Sequence, residues 1–162
     1  MEPTSPTSAA LTHFIHKSEG LLSRLELAVS GFDLISKDPS ICSDRLNSKG
    51  ELSFREMLKE ECLEEAGHVQ QLEADARKLN TLLKKKKIRP IPASLEKQHL
   101  AQSAAQIDRN KRSEPLDCKG HKQRFSKVVT RVHQARNDAI NRYDALHSEA
   151  PWNQRYNECV IL

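Results

Sequence analysis

A chain of 162 residues and 18.4 kDa has room for one domain. Apolar residues make up 37%, aromatics 4% and charged residues 30%, below the roughly 45–50% apolar share of globular chains; this excludes a thick sheet-centred core but leaves enough for narrow seams between long helices. The net charge of +4, from 26 Lys and Arg against 22 Asp and Glu, is too small an excess to signal nucleic-acid binding by itself.

Residues 1–8, with Pro3, Pro6 and several hydroxyl side chains, are expected to form a loose tail. From Leu11 the apolar positions run through Phe14, Ile15, Leu21, Leu22, Leu25, Ala28, Val29, Phe32 and Ile35, with Ser18 filling one place. Steps of three and four predict a heptad-like helix. It should end near Lys37, because Asp38-Pro39 disfavours helical geometry and Pro39 has no amide hydrogen.

Residues 40–50 are polar and end in the turn composition Asn47-Ser48-Lys49-Gly50. Ser48 with Glu51, or Ser53 with Glu56, has the capping-box spacing and starts a second helix. Its seam reads Leu58, Cys62, Ala66, Val69, Leu72, Ala76, Leu79 and Leu83. Lys84, Lys85, Lys86, Lys87 and Arg89 close it where the helix dipole favours cations, and Pro90 with Pro92 stops it. A third, shorter helix over residues 94–109 carries a small stripe of Leu95, Leu100, Ala104 and Ile107. After a connector at residues 110–120, a last helix from about Lys119 to His147 has the seam Phe125, Val128, Val132, Ala135, Ala139, Tyr143 and Leu146. No strand-like alternation or solenoid repeat is present. The expected architecture is all-α: an antiparallel up-and-down bundle of three long helices plus one shorter helix over residues 9–148, with flexible tails at 1–8 and 149–162.

The cysteines at 42, 62, 118 and 159 are far apart with no C-x-x-C, which fits a reducing cytosol better than a disulfide framework or zinc ribbon. The start MEPTSPTSAA lacks the basic run and apolar stretch of a secretory signal, and no stretch approaches the roughly 18 apolar residues of a membrane span. Cys118 and His121 have metal-ligand spacing that Cys42 and Cys62 could complete, but half a site in a loop points to no metal; Cys62 reads as a core residue. His13, His16 and His68 read as helix-surface or boundary residues, and no carboxylate pair or nucleophile is placed for chemistry. No catalytic residue and no cofactor is expected. The basic set Arg109, Lys111, Arg112, Lys119, Lys122, Arg124, Lys127 and Arg131 could meet phosphates, but only Phe125 interrupts it, so nucleic-acid stacking is not indicated.

The final residues, Cys159-Val160-Ile161-Leu162, resemble a CaaX box, the signal read by protein prenyltransferases, and a terminal leucine resembles the geranylgeranyl type. Only about one position in forty of this chain is Cys, and the motif requires it fourth from the end with two aliphatics after it. The resemblance implies a covalent geranylgeranyl lipid on Cys159, with Val160, Ile161 and Leu162 recognised by the transferase. It departs from many prenylated proteins in having Glu149 and Glu158 around a single Arg155 instead of an upstream basic run or second cysteine. One lipid needs a second membrane signal for stable anchoring. In an up-and-down bundle the second and fourth helices end together, which puts Lys84, Lys85, Lys86, Lys87 and Arg89 beside the lipidated tail, facing anionic headgroups.

The long first helix, the stretch Glu65-Ala66-Gly67-His68-Val69-Gln70-Gln71-Leu72 and the long last helix are similar in pattern to the N-terminal regulatory helical bundle of syntaxin-type membrane-fusion proteins, over residues 9–148. The last helix is too short for the pairing segment of a complete fusion protein, and Gln134 is off its seam. The sequence thus predicts a noncatalytic, prenyl-anchored adaptor on the cytosolic face of a membrane, recruiting helical protein partners in trafficking, tethering or signalling. The alternatives are a soluble subunit of a coiled-coil cytoskeletal or kinetochore assembly and a basic nucleic-acid-binding module.

Overall fold

The computed structural model describes residues 5–38, 54–109 and 115–147. These form four α-helices and, among the described residues, no strand: α1 (Pro6–Lys37), α2 (Phe54–Lys85), α3 (Gln98–Arg109) and α4 (Cys118–Leu146). The all-α expectation holds, with 85% of the described residues helical.

Helix α1 begins at Pro6, ahead of the boundary at residue 9 expected from composition. Ser5 is its cap, accepting a hydrogen bond from the Ser8 amide at 3.1 Å, and Pro6 occupies a first-turn position that needs no amide. Thr7 and Ser8 are buried as a result. The far end falls at Lys37, as expected. Ser48 and Ser53, the two candidate caps of α2, lie outside the described residues.

Burial along α2 follows Leu58, Cys62, Glu65, Val69, Leu72, Ala76, Leu79 and Leu83, alternating steps of four and three without a break. The third place belongs to Glu65 and not to Ala66, which is only half-buried. In α4 the same stepping takes Cys118, His121, Phe125, Val128, Val132, Ala135, Ala139 and Arg142, so Arg142 is buried where Tyr143 was expected. Apolar counting passes over charged residues, and the geometry of a heptad does not.

Helix α2 closes with Lys87 in the left-handed region at φ 58°, the Ile88 amide donating to the Leu83 carbonyl at 2.9 Å and the Lys87 amide to Lys84 at 3.0 Å. A strap then runs back along α2. Asn80 holds Ile91 from both sides, donating to its carbonyl at 2.9 Å and accepting from its amide at 2.8 Å, and buried Glu73 accepts from the Leu95 amide at 2.8 Å. Glu96, at φ 63° in the left-handed region, cannot sit inside a right-handed helix, so α3 does not run from residue 94 and starts at Gln98 instead. Leu95 is still fully buried, as part of the strap. Asp117 caps α4 by accepting from the Gly120 amide at 3.0 Å. A Cβ on Gly120 would lie 2.2 Å from the Asp117 carboxylate, so a side chain here would push the capping carboxylate from its place.

Each helix adjoins two others: α1 packs on α4 and α2, and α3 packs on α2 and α4. Paired residue numbers rise in one helix as they fall in the other. Along α1 and α4 the pairs are Glu19 with Arg136 at 2.8 Å, Glu26 with His133 at 2.9 Å and Asp33 with Lys122 at 2.8 Å. Lys17 meets Asp75, and Arg24 meets Glu65, between α1 and α2. The core is the apolar content of the four helix seams together with Ile91 and Leu95 of the strap, each fully buried aliphatic or aromatic side chain contributing about 1.5–3 kcal/mol relative to exposure.

Val69 is fully buried on the α2 seam and Gln70 is exposed beside it. Val69→Asp should therefore cost at least about 3 kcal/mol, and Gln70→Asp no more than about 0.5 kcal/mol. Urea melts of the two variants check the seam, and the reverse ranking would show it to be misassigned.

Candidate functional site

Three chain segments meet at one end of the molecule. Lys84 and Lys85 form the last turn of α2, Lys86 and Lys87 the turn after it, and all four are exposed, as is Arg89. Arg142, buried in the last turns of α4, donates from Nε to the Arg89 carbonyl oxygen at 3.2 Å. The end of α4 is therefore fastened beside the basic segment that follows α2. His147, which caps α4, is hydrogen-bonded through Nε2 to the Ser8 hydroxyl in the first turn of α1. Cys159, Val160, Ile161 and Leu162 lie outside the described residues.

A second cluster was not anticipated. Arg24 of α1 donates from Nε and Nη2 to Glu65 Oε1 at 3.1 and 2.8 Å, and its Nη2 lies 2.7 Å from His68 Nε2 and 3.6 Å from a Glu64 oxygen. His68, read as a boundary residue, thus belongs to an interhelical hub. Glu64, Glu65 and His68 bring one potential ligand atom each within 4.8 Å of one another, a donor set a divalent ion could use. The Arg24 guanidinium already supplies the cation there. Glu65 is 5% exposed, and its Oε2 has no hydrogen-bond partner among the described residues. A cavity of about 210 Å³ opens next to the hub, bordered by Lys17, Gly20 and His68.

A third group lies where α3 crosses α4. His121 Nδ1 is 3.0 Å from the Ser103 hydroxyl and 3.0 Å from Arg124 Nη2. Arg124 also donates from Nε to Ser103 at 2.8 Å and from Nη2 to the Gln106 side-chain oxygen. Because a guanidinium only donates, Nδ1 is the acceptor and the ring proton sits on Nε2. Burial, reinforced by the Arg124 charge and opposed by Asp117, pulls the His121 pKa down to about 4. Among the described residues, no set of three close ligand atoms includes Cys118 or His121; Cys42 lies outside the described residues. Cys62 is buried, and that burial, with the Glu61 charge, pushes its thiol up to about 12, leaving it protonated at neutral pH.

Several cations of the basic set around α4 are engaged within the protein: Lys122 with Asp33, Arg124 with Ser103 and Gln106, and Arg131 with Glu96 at 3.1 Å. Lys122 and then Lys37 hold the Asp33 carboxyl below its ordinary value. Among the described residues, no helix is long and apolar enough to cross a membrane. In comparisons with known proteins, no family model, no curated protein and no solved structure matches the chain.

Glu65 and Arg142 give no functional reading from the sequence, and His121 only that of half a metal site, although each stands on a heptad step, which is the signal available. Arg24 and Ser103 gave no signal, since their roles depend on which helices adjoin.

The lowered pKa of His121 sets a pH window. An unfolded chain takes up a proton near pH 6.5 that the folded chain accepts only near 4, so stability is complete above 6.5 and falls as pH drops toward 4, by up to about 3 kcal/mol. His121→Asn keeps an acceptor and removes the titration. Urea melts at pH 7, 5.5 and 4.5 should show a clearly flatter loss for this variant; equal losses would remove His121 as the cause.

Proposed function

We propose that this chain is a noncatalytic helical adaptor, anchored through a geranylgeranyl lipid on Cys159, that recruits protein partners to the cytosolic face of a membrane in trafficking, tethering or signalling. In this reading the four helices form an antiparallel up-and-down bundle of three long members and one shorter, similar in pattern to syntaxin-type regulatory bundles. A prenyltransferase reads Val160, Ile161 and Leu162. The observation that carries the proposal is the Arg142 to Arg89 bond. It fastens the end of α4, from which the chain continues toward Cys159, beside Lys84, Lys85, Lys86 and Lys87.

The physical reason this juxtaposition matters is additive. A single lipid chain gives marginal, reversible attachment, and a few cations at the headgroup surface convert it to stable binding when both act on the same membrane at once. Cations at the other end of a helix of this length would stand several Debye lengths from the surface and add nothing. The reading needs no catalytic residue, metal or cofactor.

Expression in eukaryotic cells tests the lipid. Intact mass should show a geranylgeranyl group on Cys159 and loss of residues 160–162, and Cys159→Ser should move the protein out of the membrane fraction. An unmodified chain outside the membrane fraction, in cells with active prenyltransferases, would favour the coiled-coil assembly reading instead.

The basic end is tested separately. Replacing Lys84, Lys85, Lys86 and Lys87 with Gln should weaken binding of the prenylated protein to anionic vesicles by roughly ten- to a hundredfold, with little change on neutral vesicles. Raising salt should erase most of the difference, because the screening length is about 8 Å at physiological ionic strength and shortens from there. Unchanged anionic-vesicle binding would overturn the role of this end and leave the lipid untouched.

A further inference from the structure

Among the described residues, the α1–α2 interface is incompletely filled toward the end of α1 and the start of α2. Leu27 and Leu34, two turns apart on α1, are 74% and 62% exposed, and Met57 on α2 is 48% exposed. Between the helices lies a cavity of about 210 Å³ bordered by Leu27, Gly31 and Ile35 of α1 and by Phe54, Leu58 and Glu61 of α2. Gly31 is part of its wall, and a Cβ built there meets no heavy atom within 4 Å. A mid-helix glycine weakens a helix relative to alanine, and no described residue fills the space this one leaves.

One carboxylate, Glu61, stands on the rim of the groove, with Glu64 and Glu65 one turn further along α2. The cations close by are committed elsewhere: Arg24 is divided among Glu65, Glu64 and His68, and Lys59 pairs with Asp108 at 2.9 Å. Glu61 has no ion-pair partner among the described residues. Burial, and then the charges of Glu65 and Glu64, raise its carboxyl above the ordinary value, so an arriving cation would relieve a repulsion already present.

An apolar slot edged by a carboxylate without an ion-pair partner suits a helix whose apolar stripe is flanked by Lys or Arg. We propose that this groove docks a basic amphipathic helix of a partner protein, with an apolar side chain seated against Gly31 and a cation at Glu61. The inference rests on the adaptor reading and supplies the chemistry of the partner it recruits. The groove lies toward the opposite end of α1 from the Ser8 to His147 contact, so a partner bound here would leave the basic end open.

The test uses the full chain without lipid and a fluorescent synthetic helix of Leu, Ala and Lys, with Leu at i, i+3, i+4 and i+7 and Lys on its flanks. Anisotropy titration should show saturable binding that Gly31→Leu and Glu61→Lys each weaken at least tenfold, while thermal melts show both variants folded. The same peptide with Glu for Lys should not bind. Absence of saturable binding, or equal binding by both variants, would overturn the proposal. So would a dimer in sedimentation that Gly31→Leu dissolves, since a second copy would then be the occupant. Binding that emerges only after Ile41→Ser with Leu46→Ser would assign the groove to this chain's own residues 39–53 and overturn it equally. No lipid enters the measurement, so its failure is distinguishable from failure of the prenylation test.

Discussion

The packing of α1 along α4 is the constraint on which the rest of the arrangement depends. These are the first and last helices of the chain, and their contact runs from Ser8 with His147 to Asp33 with Lys122. On the α4 side the seam narrows to Ala135 and Ala139 beside Val128 and Val132, all fully buried, and small side chains let the two backbones approach closely. The ion pairs along this contact are solvent-exposed and contribute little to stability, but they fix which residues stand opposite one another. Once α1 and α4 are joined, α2 and α3 have only the remaining flanks on which to bury their stripes. Because α1 runs against α2 as it does against α4, with Lys17 meeting Asp75 and Arg24 meeting Glu65, the end of α2 falls at the same end of the molecule as the end of α4.

Much of this was legible in the sequence because steps of three and four are a geometric signal that survives without any knowledge of partners. The four helices, the stop before Pro39 and most seam residues follow from it. Apolarity alone points to the wrong seam residue at two places. Ala66 was preferred to Glu65 and Tyr143 to Arg142, although the charged residue keeps the step in each case. The start of α1 was missed because a segment rich in Pro and hydroxyls reads as disorder, whereas Ser5 followed by Pro6 is also a cap followed by a first-turn proline. The start of α3 was not legible at all. It depends on Glu96 taking a left-handed backbone conformation within a strap that Asn80 and Glu73 hold against α2, contacts between distant turns. Of the candidate site, the cations after Leu83 could be read directly, but the bond that fastens Arg142 to Arg89 could not.

The polar residues on the seams have a shared logic. Glu65 is matched by Arg24, His121 by Ser103, and Arg142 by the carbonyl of Arg89, each partner coming from a neighbouring segment. A buried charge without its partner costs several kcal/mol, far more than the pair returns when it is made. Sliding any helix by one heptad would keep apolar residues facing apolar residues and would orphan these groups. Hydrophobic steps alone leave such a slide nearly degenerate, and the polar places on the seams remove the degeneracy.

The same asymmetry separates the two ends of the molecule. From Ser8 to Leu34 the helix rises about 40 Å at 1.5 Å per residue, roughly five screening lengths at physiological salt. Cations after α2 and carboxylates at the start of α2 therefore act on their surroundings independently, and neither end neutralises the other despite the small net charge of +4. An anionic surface drawn to one end leaves the field at the other unchanged, so under the proposed reading membrane and partner would bind without electrostatic coupling. Any coupling between them would have to travel mechanically, through the α1–α4 contact. The polar seam pairs tie α1 to α2, and α4 to α3 and to the segment after α2, so they resist sliding of both helices, and the bundle would hold a partner at a fixed height above the membrane without passing on a signal between its ends.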